Sequence, residues 1–305
     1  MNFLKKLFRL TAALFAVLLV VILLGIGGIY FVSQRKMDQT YAIHPVLIKI
    51  PTDKKAILRG HHLVHAILGC MACHGKNLAG KVLINNPAVG RIVPKNLTRG
   101  KGGIGDQFTT EDWVMAIRNG VSPDRKSLIL MPSLNFSYLS KKDLGDVIAY
   151  LKSIPPVNHS LPSNKLGPIF RLVIAKGGSD LLSASVINQN QKPLPSGKIG
   201  TSDYGYYLVH IAGCMHCHGP NLAGGTVPGG APPGTPPAAN LTPAGIGTWN
   251  EKDFMTLMRT GKRPDGSAVS SFMPWKVFRH MKDKELQSIW LYLKTLPPAE
   301  SNGKK

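Results

Sequence analysis

Cys70-Met71-Ala72-Cys73-His74-Gly75 and Cys214-Met215-His216-Cys217-His218-Gly219 hold all four cysteines of a 305-residue chain. Around them the sequence repeats itself. Gly60-His61-His62-Leu63-Val64-His65 precedes the first hexapeptide as Gly205-Tyr206-Tyr207-Leu208-Val209-His210 precedes the second. Asn77-Leu78-Ala79-Gly80 and Asn221-Leu222-Ala223-Gly224 follow them. Both copies continue through Asn-Leu-Thr (96–98 and 240–242), Ile-Gly (104–105 and 246–247), Arg-x-Gly (118–120 and 259–261) and Met-Pro (131–132 and 273–274). The offset between copies is 144 at the first cysteine (214 less 70) and 142 at the methionine (273 less 131). Each copy closes on an amphipathic helical pattern, Leu144, Val147, Ile148, Leu151 and Leu286, Ile289, Trp290, Leu293, stopped by Pro-Pro. Two homologous modules are therefore expected, at 45–157 and 203–299. Residues 158–202 are rich in Pro, Gly, Ser and Asn around one apolar patch, Ile169 to Ile174, and read as a semi-rigid linker.

Composition narrows the class. With 44% hydrophobic and 17% charged residues the chain is neither a disordered polyelectrolyte nor a fibre, and its length suits two small domains. Lys and Arg number 37 against 16 acidic residues, a formal charge of +21. At the amino end, residues 1–9 carry Lys5, Lys6 and Arg9, and residues 10–32 are uncharged. Those 23 residues would reach about 35 Å as a helix, enough to cross a hydrocarbon core of about 30 Å. A cleaved signal peptide is the rival reading, but its apolar part is usually shorter and no clean small-residue cleavage site follows. The segment is read as a transmembrane anchor, the basic end inside and the remainder exported.

Cys-x-x-Cys-His is an attachment signature for haem c: two thiols add to the porphyrin, and the histidine is held under the iron. Cys70 and Cys73 with His74, and Cys214 and Cys217 with His218, would make two such sites, so two covalently attached haem c groups are expected. The rival uses fit less well. A redox dithiol calls for a βαβ setting. A zinc site needs a second ligand pair at short spacing. Structural disulfides leave both histidines unexplained. The second axial ligands are expected at Met131 and Met273, because proline biases the residue before it toward extended backbone and so suits a loop across the haem face. Met37, Met115, Met255 and Met258 read as core or helix residues. His61, His62, His65, His210 and His280 read as surface or core residues. Arg118 and Arg259 are candidates for pairing with haem propionates. Gly60 and Gly205 either start helices or let the first and last helix of a module cross closely beneath Tyr150 and Tyr292.

The succession of CxxCH, Asn-Leu-Thr, Ile-Gly, Arg-x-Gly and Met-Pro resembles tandem class I cytochrome c domains. The second copy resembles them more, from Tyr204-Gly205-Tyr206-Tyr207-Leu208 through Ile246-Gly247-Thr248-Trp249 to Phe272-Met273-Pro274; the first has Phe108 where the second has Trp249. The whole is most similar to the membrane-bound cytochrome c subunits of bacterial alcohol and sugar-acid dehydrogenases, which carry three haems where this chain has two motifs. The resemblance implies an all-α fold, two tandem domains behind one N-terminal transmembrane helix, in the bacterial inner membrane with the haem domains in the periplasm. It implies a carrier rather than an enzyme, relaying single electrons between a membrane-surface redox enzyme and a soluble cytochrome or terminal oxidase. Expected partners are a membrane-bound dehydrogenase or oxidase and other cytochromes with an acidic docking face, and the lipid bilayer, but not nucleic acid. The alternatives are a di-haem enzyme, a peroxidase or a thiosulfate-oxidising cytochrome, with one iron open to substrate, and a subunit of a haem-copper oxidase.

Overall fold

A computed structural model describes residues 2–178, 181–227 and 234–302. Residues 179–180 and 228–233 lie outside the described residues. The chain is mostly helical. Helix α1 (Asn2–Met37) runs on past the uncharged segment at both ends, and none of its most apolar stretch is covered by other described residues.

The first half follows with α2 (Lys54–His62), extended by a π-helical turn over Leu63–Ile67, then α3 (Cys70–His74), a hairpin of β1 (Ile84–Asn86) and β2 (Gly90–Ile92), α4 (Thr110–Val114), α5 (Ser133–Phe136) and α6 (Lys141–Ser153). Between the halves lie β3 (Lys165–Leu166), antiparallel to β2, and α7 (Pro168–Ala175). The second half repeats the helices as α8 (Ser202–Ile211), α9 (Cys214–His218), α10 (Pro243–Ile246), α11 (Glu251–Thr260), α12 (Trp275–Phe278) and α13 (Asp283–Thr295). Local chemistry sets many of these boundaries. Thr109 with Asp112 and Asn250 with Asp253 form matching capping boxes that start α4 and α11. The glycines of the two Arg-x-Gly motifs take φ of +67° and +72°: Gly120 ends the π-helical turn over Met115–Asn119 that continues α4, and Gly261 ends α11.

Within each half, the first and last helices cross at a glycine. A Cβ on Gly60 would overlap the Asp146 carbonyl oxygen and stand 2.8 Å from Tyr150 Cβ. A Cβ on Gly205 would do the same to Ser288 and Tyr292, again 2.8 Å from the tyrosine Cβ. Of the two readings the sequence left open, close crossing is the one observed.

The two halves share one continuous apolar core and a buried polar seam. The Arg59 guanidinium donates to both oxygens of Asp143 at 3.1 Å and to Glu285 of the other half at 3.1 Å. Its Nη2 also reaches Tyr204 Oη at 2.9 Å. His62 Nε2 pairs with Glu285 Oε2 at 2.6 Å, and Tyr207 donates to Asp143 Oδ2 at 2.8 Å. These residues correspond across the repeat: Arg59 with Tyr204, His62 with Tyr207, Asp143 with Glu285. Hence His62–Glu285 and Tyr207–Asp143 are one contact made twice with the halves exchanged, as a two-fold arrangement of the halves requires. The short helices agree, α5 touching α8 and α12 touching the π turn of the first half.

Burial would raise the Glu285 carboxyl, but its hydrogen bond with His62, the Lys282 N–H and the Arg59 charge outweigh that and hold it below its ordinary value of 4.5. A carboxyl held low contributes stability above the ordinary glutamate range and loses it as pH falls. Arg59→Ala leaves two buried carboxylates without their shared partner, and a loss of about 3–5 kcal/mol is expected in urea unfolding at neutral pH. A loss below about 1 kcal/mol, the range of exposed pairs, would show the seam to be energetically idle.

Candidate functional site

Each Cys-x-x-Cys-His segment is a single helical turn opened by a left-handed glycine, Gly69 at φ +64° and Gly213 at φ +74°. The loop after it folds back on the histidine. Gly80 N–H donates to the His74 carbonyl at 2.7 Å, and Gly224 N–H to that of His218 at 2.8 Å. Between them Leu78 and Leu222, buried, both take φ of +58°, a conformation that β-carbon sterics disfavour. Their carbonyls receive the N–H of Leu97 and Leu241, which draws in the Asn-Leu-Thr segments.

That segment is a turn with a purpose. Asn96 Oδ1 accepts from Thr98 N and Thr98 Oγ1, while its Nδ2 donates to Val157 O at 2.9 Å, just past the Pro-Pro stop. Asn240 repeats the pattern with Thr242 and with Ala299 O at 2.7 Å. The residue before each asparagine thereby presents its carbonyl to the histidine: Lys95 O lies 2.8 Å from His74 Nδ1, and Ala239 O 2.7 Å from His218 Nδ1. A carbonyl can only accept, so Nδ1 carries the proton and Nε2 is left with its lone pair. Burial lowers both imidazoles below their ordinary value and outweighs the opposing carbonyl bond, keeping the rings neutral.

Two cavities open at these segments. One, about 450 Å³, is lined by Cys214, Cys217, His218 and Met273 with Trp249 on its wall. The other, narrower at about 200 Å³, is lined by Cys70, Cys73, His74 and Met131 with Phe108. All eight residues expected from the sequence are thus divided four and four. The methionine loops match as well, with Pro132 and Pro274 both at φ near −78° and N–H groups two residues beyond each methionine bonded to its carbonyl at 2.8 Å. Met131 is further braced by Ser183 Oγ on its carbonyl at 2.6 Å and follows Leu130, which is held at φ +59°.

Burial pushes Cys70 and Cys214 up to about 12 and raises Cys73 and Cys217, so as thiols all four stay protonated at neutral pH. This is the opposite of the lowered pKa that a catalytic dithiol needs. Among the described residues no cluster of three or more His, Cys, Asp or Glu could hold a bare metal ion. What the cavities offer instead is an apolar slot with thiols, a neutral imidazole and a thioether, which fits an iron porphyrin. Trp113 lines the narrower cavity and its buried indole N–H has no protein acceptor, a donor that a propionate would satisfy.

The propionate expectation for Arg118 and Arg259 does not hold. Arg118 donates to the carbonyls of Leu139, at 3.3 Å, and Gln191; Arg259 donates to the carbonyl of Arg279 and to Asp283. Both tie the segment after the methionine to the preceding helix, and neither lines a cavity. Arg263 does line the larger one, a residue whose arginine has no counterpart in the first half. His62, His65, His210 and His280 line neither cavity; His65 Nε2 meets Tyr150 Oη at 2.8 Å and His210 Nδ1 meets Tyr206 O at 2.8 Å.

Comparison with known proteins agrees with this chemistry. Residues 202–297 match the cytochrome c family, so the chain carries a cytochrome c domain, with the covalent haem c that this family implies. Among the curated relatives are the cytochrome subunit of fructose dehydrogenase from Gluconobacter japonicus, 30% identical over 82% of this chain and 54% of that subunit. The cytochrome c subunit of a quinone alcohol dehydrogenase from Gluconacetobacter polyoxogenes is 30% identical over 83% of the chain and 58% of its own length. The chain thus spans little more than half of either subunit. A diheme cytochrome c-type protein of Cereibacter sphaeroides is 27% identical over 94% of the chain and 99% of its own length.

Replacing Met273 or Met131 by alanine in the haem-loaded chain should each remove about half of the long-wavelength sulfur-to-iron absorption band, and the double variant all of it. Met115→Ala, a buried methionine outside both cavities, should leave the band intact. An unchanged band in the single variants would remove the methionines from the iron.

Proposed function

We propose that the protein is a membrane-anchored di-haem c-type cytochrome, two tandem cytochrome c domains at 45–157 and 203–299 behind the anchor at 10–32. In this reading it relays single electrons between a membrane-bound dehydrogenase and a soluble cytochrome or terminal oxidase. The observation that carries the reading is the pairing of a methionine with Cys-x-x-Cys-His in each of the two cavities. Haem c, when bound, would supply a one-electron couple, and the histidine and methionine that line each cavity would be the residues to hold its iron, leaving electron transfer rather than substrate binding as its chemistry.

The chain's own residues perform the rest. Cys70 and Cys73, and Cys214 and Cys217, would hold the groups covalently; His74 and His218 present Nε2 because Lys95 O and Ala239 O hold the opposite nitrogen. Met131 and Met273 would complete the axial sets. Apolar walls such as Leu97, Val147 and Leu151, or Leu241, Ile289 and Leu293, exclude water and favour the reduced, less charged state. The di-haem enzyme alternative needs an open iron face, and a methionine in both cavities speaks against it.

Support for a dehydrogenase partner comes from the relatives named as subunits of such enzymes. Support for steering comes from charge. The chain carries +21, and Lys276 and Arg279 flank Trp275, two residues past Met273, with Nζ and Cζ 5.9 and 5.8 Å from its ring centre. Such a rim would draw an acidic partner toward the second cavity. The rim and the α1 anchor together suit haem domains on the periplasmic face of a bacterial inner membrane.

Electron exchange with an acidic soluble cytochrome should slow at least tenfold between about 0.01 and 0.2 M salt, and Lys276→Glu with Arg279→Glu should flatten that dependence. A rate indifferent to salt in the unaltered protein would remove the steering.

A further inference from the structure

Helix α7 is eight residues long, PIFRLVIA, and all but Arg171 are apolar. A helix so composed belongs in a core, yet Ile169 is 49% exposed and Val173 38%. At 100° per residue Ile169, Leu172, Val173 and Lys176 share that outward side, while Ile174 is buried on the other. What lies against the inner side is α1. The Arg171 guanidinium sits 4.6 Å over the centre of the Tyr30 ring and donates to Ser33 Oγ at 3.1 Å and Gln34 Oε1 at 3.3 Å. Lys36 Nζ in turn caps the carboxyl end of α7, donating to the carbonyls of Ile174 at 3.0 Å and Ala175 at 3.1 Å.

These contacts set a depth. Residues 30–36 of a continuous helix rise only about 9 Å, and they straddle the end of the uncharged segment of α1, residues 10–32. A bilayer has about 5–7 Å of headgroup layer on each side of its hydrocarbon core. A helix pinned to this stretch therefore sits at the level of the headgroups. Its surroundings suit that level: Tyr30 at the boundary of the span, and Arg35, Lys36, Arg171 and Lys176 beside an apolar face, which is the pattern of an interfacial helix on an anionic surface.

We propose that α7 lies in the outer headgroup layer of the bilayer that α1 crosses, with Ile169, Leu172 and Val173 turned to the acyl chains. The occupant of the exposed face is lipid. The proposal rests on α1 being a membrane span. It also gives α7 a task, because β3 leads directly into it and Asn164, four residues before Pro168, lines the narrower cavity. Four residues span at most about 14 Å, so the first cavity is tethered close to the membrane surface. A second contact holds the same half to the end of α1, Lys126 pairing with Asp38 at 2.7 Å.

The test uses the full haem-loaded chain in vesicles of phosphatidylcholine with a minor share of phosphatidylglycerol. A trifluoromethyl aryl diazirine that partitions into acyl chains is photolysed, and the labelled peptides are mapped by mass spectrometry. Labelling within residues 168–176 should come within about threefold of that in residues 10–32, and the double variant Ile169→Ser, Val173→Ser should lose most of it with residues 10–32 unaffected. Label in residues 10–32 with none in α7 overturns the proposal, assigns the exposed face to a protein partner, and leaves the span standing. Label in neither segment overturns the span and the proposal together.

Discussion

Two helices can approach to backbone contact only where a side chain is missing, and each half of this protein is built on one such place. Gly60 under the Asp146 carbonyl and Gly205 under that of Ser288 bring the first and last helices together. The rest of each half follows from that crossing. The last helix supplies Val147 and Leu151, or Ile289 and Leu293, to the cavity wall, and its proline stop delivers the carbonyl of Val157 or Ala299 to the asparagine of Asn-Leu-Thr. The asparagine, so held, turns the preceding carbonyl onto the histidine. A helix crossing is thereby linked, through one turn, to the imidazole whose Nδ1 that carbonyl holds.

The relation between the halves depends on a different kind of force. Arg59, His62, Tyr204, Tyr207, Asp143 and Glu285 make a seam in which both carboxylates are buried. Buried ion clusters are weak net sources of stability but penalise misalignment, because a shift of one turn would strand a charge. The seam acts as register between the halves. It works alongside the small contacts that set each attachment segment against the other half, Gly69 facing Val277 and Gly213 facing Asn135. The cavities are therefore carried as a fixed pair rather than on a flexible tether.

The residues that line the two cavities were legible in the sequence because their motifs are local: Cys-x-x-Cys-His is five consecutive residues, and Met-Pro is conspicuous once its recurrence is noticed. The apolar N-terminal segment announces itself in the same way. The role of Asn-Leu-Thr was not legible, since its partners lie about sixty residues away and one of them is a backbone carbonyl that any residue supplies. The Arg118 and Arg259 reading failed because an arginine near a haem motif suggests a propionate, while the carbonyls that these two brace carry no sequence signal. Arg59 and Glu285 were invisible for another reason: the seam uses positions where the copies differ, and a search for repeats looks for what they share. The patch Ile169 to Ile174 was noticed as apolar, but nothing in its sequence showed that it lies against α1 while its Ile169 N–H bonds the Ala88 carbonyl of the first half.

The account stands on both halves holding the same prosthetic group in the same way. Intact mass of the protein matured with a haem c attachment system tests this directly. The unaltered chain should exceed its polypeptide mass by two haems, and the pairs Cys70→Ala, Cys73→Ala and Cys214→Ala, Cys217→Ala should each exceed theirs by one. A single haem on the unaltered chain, lost with one cysteine pair and indifferent to the other, would contradict it.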